Sequence, residues 1–453
     1  WLTLVIILSK TALILTIGKA TEPSIKRINQ LKPDLVYFIH SKKSKENSLL
    51  IIEETEIDNY KFKLLSNHED LEDSFTKSLE CINELEKENY EISIDFTVGT
   101  KPMVAGLAMA STEKGYKPLY LGESNENSRH EDMGPVKSGM EETKIQENPY
   151  ENYAINEFKG GRNFFDKYQF LSSYENFLNA KYKLKYPDLK ERLEIFIKIV
   201  SFYDAWDKFN DEINNVPLNI YLENEIINEI NNNVNLKKYF SEEIPHFHKQ
   251  ILRNHIFLSN KLSNKLSDSL IYYLSDLLNN AKRRIDEGKY DDAVARLYRT
   301  MELTSQIRLN QYNLFYISCI NDKKTFSIDK NKVKHKLNKS VLAEIDSWNP
   351  YGWDKNNTKF LDLDLSKSYR LLKYVSRENK HDLSRSTKKI VSNFYKINSK
   401  IQKRNTSILA HGLRPLTKKE AEELFKLVLN HSKKLHENIE KEMEMAKFPL
   451  FKR

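Results

Sequence analysis

Residues 92–111 read ISIDFTVGTKPMVAGLAMAS, and this stretch decides the fold. A run rich in β-branched and aromatic residues, Ile92 to Val98, enters a small-residue turn and then a helical stretch from Lys101 to Lys114. Gly99 lets backbone N–H groups approach a neighbour closely. Thr100 suits the N-cap of the helix and Pro102 its first turn. A strand that feeds a helix through such a turn is the building unit of a parallel α/β sheet.

The same alternation extends on both sides. Further strands are expected at Thr11–Ile17, Asp34–Ile39, Tyr60–Leu65 and Pro118–Leu121. Helices are expected at Glu22–Leu31, with Pro23 in its first turn, Glu46–Asp58 and Asp70–Asn89. Single helices between strands imply right-handed crossovers and a mainly parallel sheet, hence a Rossmann-like domain over residues 1–150. From Gly122 to about Asn148 the sequence reads as polar loop, and from there to the C-terminus as helix. Residues 151–265 form the expected helical connector, with surface connections where Asn is dense between Asn210 and Asn235. A second helical unit is expected over 266–453. The predicted fold class is therefore α/β plus all-α.

A chain of 453 residues with 40% hydrophobic and 30% charged residues fits two or three soluble domains. A net charge of +8 favours an anionic partner. Cys81 and Cys319 fall in different predicted domains, which excludes a disulfide framework or zinc ribbon and fits a reducing cytoplasm. The opening run, WLTLVIILSKTALILTI over residues 1–17, is interrupted by Lys10 and short for a membrane span. It reads as a buried strand preceded by a few extra residues; a membrane anchor is the competing reading, and no stable membrane partner is expected. His246, His248 and His255 lack accompanying cysteines or ordered carboxylates and read as surface histidines rather than metal ligands. The lysine-rich stretch Lys323–Lys339 reads as a solvated loop rather than an RNA contact.

Ligands of open α/β sheets bind beyond the carboxyl ends of the strands. Two such ends stand out, the one carrying Gly18 and Lys19 and the one running from Thr97 through Gly99, Thr100 and Lys101 to Met103; Ser41 is a third candidate. A helix N-terminus attracts anions and Lys101 adds a formal charge. The same residues would serve a Rossmann-like turn without any ligand. Neither end is a GxGxxG or a GxxxxGK[ST] element, which disfavours ordinary NAD or ATP binding.

The C-terminal unit carries Arg404-Asn405-Thr406-Ser407-Ile408-Leu409-Ala410-His411-Gly412. On a helix, Arg404 and His411 lie almost two turns apart on one face, with Ser407 between them. This pair suits phosphodiester cleavage without metal. Arg contacts two phosphate oxygens at once and stabilises the extra charge of the transition state. His moves a proton near neutral pH. RNA brings its own nucleophile, the 2′-OH, and internal attack leaves a 2′,3′-cyclic phosphate. The alternative is structural: Arg404 pairs with an acid and His411 caps a helix end.

DFTVGTKPMVAGLAMAS, together with TIGKATEPSIKRINQLKPDLVYFIHS over residues 16–41, resembles the signature of CARF domains, the CRISPR-associated Rossmann folds. Members of that family dimerise and bind cyclic oligoadenylates across the dimer interface, and some also cleave them. The resemblance implies that Gly18, Lys19, Ser41, Thr97, Gly99, Thr100, Lys101 and Met103 border such a ligand. The Arg404–His411 element resembles the R-x4-6-H motif of HEPN ribonucleases. It precedes a final long helix, expected at Lys418–Met445, and follows a helix, DDAVARLYRTMELTSQIRLN over residues 291–310, with an apolar stripe of Ala293, Val294, Leu297, Tyr298 and Met301. That helix resembles the CARF–HEPN subfamily itself through Arg296, Arg299, Glu302 and Gln306; Arg299 and Glu302 are spaced to form an ion pair that braces the catalytic helix.

The two signatures in this order resemble the CARF–HEPN ancillary ribonucleases of type III CRISPR systems. The resemblance implies a homodimer with a composite catalytic cleft, cyclic oligoadenylate as allosteric activator, single-stranded RNA as substrate, no metal or other cofactor, and Arg404, His411, Asn405 and Ser407 as the catalytic set. The competing readings are a non-catalytic nucleotide-sensing regulator, and a sensor that also degrades its cyclic oligoadenylate.

Overall fold

The computed structural model describes residues 10–125, 128, 136, 137, 139–263, 266–320, 323–348, 360, 361, 363–378, 383–401 and 414–452. The chain divides into two compact units, residues 1–158 with 179–190, and residues 159–178 with 191–453.

In the first unit the elements run β1 (Thr11–Thr16), α1 (Glu22–Leu31), β2 (Leu35–His40), α2 (Lys45–Thr55), β3 (Tyr60–Leu64), α3 (Leu71–Lys87), β4 (Glu91–Asp95), α4 (Lys101–Glu113), β5 (Leu119–Glu123) and β6 (Glu141–Ile145). They form one six-stranded sheet in the order β3-β2-β1-β4-β5-β6. β1 to β5 are parallel and β6 is antiparallel to β5. Strand alternation sorts the side chains onto two faces. Leu13, Leu15, Val36 and Phe38 face α1 and α2, where they meet Ile28 and Ile51. Ala12, Ile14, Leu35, Tyr37 and Ile94 face α3 and α4, where they meet Ile82, Leu85 and Leu107. A central strand covered on both faces needs continuous apolar sequence, and β1 and β2 supply it.

Two expectations for this unit are corrected. β4 ends at Asp95, not at Val98: the Asp95 carboxylate accepts the Thr97 N–H at 2.8 Å and turns the chain out of the ladder. The stretch read as polar loop contains β6, an edge strand whose sequence, EETKI, is polar because it is half exposed.

The second unit is mainly helical. Its principal elements are α5 (Pro187–Asp207), α6 (Pro245–Ser263), α7 (Leu266–Asp286), α8 (Tyr290–Gln311), α9 (Leu365–Glu378), α10 (Leu383–Ile401), α11 (Lys418–Ser432) and α12 (Ile439–Met445). One core cluster draws on α7 to α12, including Leu274, Leu297, Met301, Tyr369, Phe394 and Val428. The expected stripe of α8 faces it: Ala293, Val294, Leu297 and Met301 are buried and Tyr298 packs at its margin.

Three readings change here. The lysine-rich stretch is not a loop. Lys323–Asp329 pairs with Phe315–Ile320 in an antiparallel hairpin, Phe360–Leu361 adds a third strand, and a helical turn follows at Lys330–Lys334. The Asn-rich segment is helical with buried anchors: Asn214 and Asn215, both at positive φ, turn a small hairpin, and Ile226 and Ile230 beyond it are fully buried. The expected last helix is two helices, α11 and α12, separated at 433–438 by tighter turns such as Lys434 N–H to His431 O.

Candidate functional site

The strand order reverses between β1 and β4, and crevices at such switch points are where open α/β sheets bind ligands. The segments after these two strands are fastened together. The Thr16 hydroxyl donates to the Val98 carbonyl. Gly18 lies so close to the other turn that a Cβ there would meet the Gly99 nitrogen at 2.9 Å and Val98 Cγ1 at 3.0 Å. Gly99 has φ +142° and is wedged between Thr16 Oγ1 and Met103 Cβ, so both its conformation and its space call for glycine. Asn47 of α2 donates to the Gly18 carbonyl at 2.7 Å.

Beyond Gly99, Thr100 caps α4, accepting the Met103 N–H and donating to the His68 carbonyl at 2.6 Å. The Thr97 hydroxyl accepts the Leu121 N–H at 2.8 Å, tying this turn to β5. Lys101 opens α4 with its side chain exposed, and Lys19 is exposed beside Gly18. Pro102 has no N–H and the Met103 N–H is taken by Thr100, so the first turn of α4 presents the Lys101 N–H and the Lys101 cation at the switch point. Ser41 is buried and occupied: its N–H and hydroxyl both engage the Ser44 hydroxyl. Met103 lies in the core under the turn, 1% exposed, so it supports the loop from below. Of the eight residues singled out, Gly18 and Gly99 are in contact, and Thr97 and Thr100 lie on the same turn as Gly99 and are tied to Leu121 and His68. Lys19 and Lys101 are exposed next to the glycines in sequence, and Ser41 and Met103 are packed inside.

Sequence reasoning missed the supports. Arg27 of α1 forms a buried ion pair with Asp95 and donates to Gln30 at 2.8 Å and Thr143 at 2.7 Å. Asp95, whose other oxygen holds the Thr97 N–H, thereby fixes the turn from beneath. The signal was an aspartate ending an otherwise apolar strand. Asn47 and Thr16 gave none.

In the helical unit, Arg404, Asn405, Ser407 and His411 lie outside the described residues. Their flanks are described. α10 ends three residues before Arg404 in sequence. α11 opens on a capping box of Thr417 and Glu420, and Arg414 pairs with Glu420 at 3.1 Å. On α8, Arg299 meets Glu302 at 3.2 Å and Gln306 at 3.0 Å, so these contacts stay within its own helix. Arg296 bridges to Asp292 at 2.8 Å and to Asn280 of α7.

A buried chain at the junction of α9, α10 and α11 had no sequence signal at all. His431 Nδ1 lies 2.8 Å from Asn393 Oδ1 and its Nε2 lies 2.7 Å from the Tyr369 hydroxyl. An amide oxygen only accepts, so Nδ1 carries the proton and Nε2 accepts from Tyr369. Burial, with Lys434 nearby, pushes the His431 pKa down to about 3, keeping the ring neutral.

Of the histidines weighed as metal ligands, His248 has its Nε2 buried without a hydrogen-bond partner. His246 contacts the Leu450 carbonyl at 2.9 Å, and His255 approaches Glu223 at 3.6 Å. No group of three or more potential metal ligands occurs among the described residues. Cys81 is buried, which raises its thiol pKa to about 12. No described helix is long and apolar enough to cross a membrane.

Fold and site together define a two-part protein: a Rossmann-like unit with a topological switch point between β1 and β4, followed in the chain by a helical unit. Residues 263–435 of the latter match the family described as the Csm6 HEPN domain. The family match thus covers the C-terminal helical segment, and the N-terminal unit is Rossmann-like by its sheet order. No curated relative matches it. Among solved structures, Enterococcus italicus Csm6 bound to cyclic hexa-2′-fluoro-hexa-dAMP is similar over 97% of this chain and 98% of that one, at 14% identity and a TM-score of 0.48. Can2 from Sulfobacillus thermosulfidooxidans in complex with cyclic tetra-adenylate is similar over 43% of this chain and 65% of that one, at 11% identity and a TM-score of 0.22. A type III CRISPR defence DNA nuclease activated by cyclic oligoadenylate covers 44% and 34% respectively, at 14% identity and a TM-score of 0.23.

Proposed function

We propose that the chain is a cyclic-oligoadenylate-activated, metal-independent endoribonuclease that cuts single-stranded RNA in the cytoplasm as part of type III CRISPR defence, and works as a homodimer. The observation that carries this reading is the match of residues 263–435 to the Csm6 HEPN domain, a segment that contains Arg404 and His411 at the R-x4-6-H spacing. Residues 1–150 are then the sensor, 266–453 the nuclease and 151–265 the connector.

The activator is assigned to the crevice beyond β1 and β4. A ring of phosphates and adenosines is anionic, and the α4 N-terminus, Lys101 and Lys19 suit it. Gly18 and Gly99 keep side chains out of the way. In the nuclease, the 2′-oxygen attacks the adjacent phosphorus, the bond from phosphorus to the 5′-oxygen breaks, and a 2′,3′-cyclic phosphate and a 5′-hydroxyl result. One His411 takes the 2′-OH proton and the His411 of the second copy protonates the leaving oxygen. Arg404 neutralises the phosphorane charge. Asn405 and Ser407 position the phosphate.

The test is cleavage of single-stranded RNA in EDTA across a panel of cyclic oligoadenylates. One ring size should switch cleavage on, and Arg404→Ala and His411→Ala should each abolish it. Persistent cleavage in both variants would overturn the assignment.

A further inference from the structure

One face of α10 forms the wall of a groove of about 920 Å³ whose charged lining is entirely basic among the described residues: Arg385, Lys388, Lys389 and Lys396 from α10, and Lys434 just past α11. Two serines and Asn393 are the other described lining residues, and no carboxylate is among them. The α10 cations recur at helical spacing and so form a row on one side. From Arg385 to Lys396 the row spans about 16 Å at the helical rise. All five cations are exposed, and none is ion-paired with another described residue. Concentrating like charges in one concavity, when acids elsewhere on this unit pair readily, favours an extended anion that neutralises them together.

Asn393 makes the groove more than a charged patch. Its Oδ1 is taken by the buried His431, which Tyr369 holds in turn, while Tyr369 is stacked on Phe394 at 3.8 Å between ring centroids. With the oxygen occupied, the amide NH₂ is the group left for the groove, as a fixed donor suited to a phosphate oxygen.

We propose that this groove binds the phosphate backbone of the single-stranded RNA substrate along α10, the helix that precedes the Arg404–His411 segment in the chain. The inference rests on the ribonuclease reading, yet it is tested separately from it. The row has cations and fixed polar donors but no stacking aromatic among its lining residues. It therefore binds by charge, with little base preference.

The experiment uses the full chain with His411→Ala, so that RNA stays intact, and a fluorescein-labelled single-stranded oligoribonucleotide read by anisotropy over a salt series. Lys388→Ala with Lys389→Ala should weaken binding at least tenfold and make the logarithmic salt dependence shallower by roughly 0.7 for each phosphate left without its cation. Lys388→Arg with Lys389→Arg should restore both. Unchanged affinity and slope in the alanine pair, with an unchanged melting temperature, would overturn the groove. If the groove behaves as expected while activated wild type cuts no RNA, the nuclease reading falls and the groove stands.

Discussion

On the proposed reading, the switch point beyond β1 and β4 and the groove along α10 answer different problems of anion binding. The crevice is made of glycines, caps and short hydroxyls locked to one another at hydrogen-bond distance: Thr16 to Val98, Thr97 to Leu121, Thr100 to His68, Asn47 to Gly18. The groove is made of long, exposed cations, with one amide held fixed by a buried histidine. A site for one compact, invariant ligand gains from preorganised backbone. A site that must accept any RNA sequence gains from charge without shape. Packing defects should therefore ruin the first, and removal of charge the second.

The largest expected effect separates both from the chemistry. Arg404→Ala or His411→Ala should lower RNA cleavage by about 10²–10⁴-fold, while calorimetric titration finds activator binding unchanged. Next is Gly18→Val. Its Cβ would press on the Gly99 nitrogen at 2.9 Å, and overpacking of this kind costs about 1–3 kcal/mol. The activation midpoint should move at least tenfold upward, and groove binding of RNA should stay as in wild type.

A third prediction concerns the amide support beneath the groove. The pKa of His431 is about 3 when folded against an ordinary 6.5. Between these values the unfolded chain binds the extra proton, so stability rises with pH across this window and is lost as pH falls from about 6.5 toward 3. Melting temperatures measured from pH 7 down to pH 4 should decline in wild type. They should decline less steeply in His431→Leu, which starts lower at pH 7 because Asn393 and Tyr369 lose their partner. The smallest effect belongs to Lys101→Ala. An exposed cation at a helix N-terminus should weaken activator binding only severalfold, and most visibly at low salt.

The two units also differ in how legible they were. The parallel sheet announced itself because buried strands such as TALILT and LVYFIH are continuous apolar runs, and α1 was read to both its ends from Pro23 and the period of its apolar residues. β6 escaped because an edge strand with one wet face, EETKI, looks like loop. The hairpin at 315–329 escaped because its second strand begins with two lysines. The split between α11 and α12 has no glycine or proline to mark it. In the crevice, glycines and caps were legible because their conformational requirements are local. Arg27, Asn47 and the Tyr369–His431–Asn393 chain were not, because each depends on a partner distant in sequence.

The most direct test of the whole account is the rate of RNA cleavage in EDTA titrated with the activating cyclic oligoadenylate, set beside the activator's dissociation constant measured on the same protein. The account predicts a saturable rise from near zero, half-maximal where half the crevices are filled. A rate that stays flat while the activator binds to saturation would contradict it.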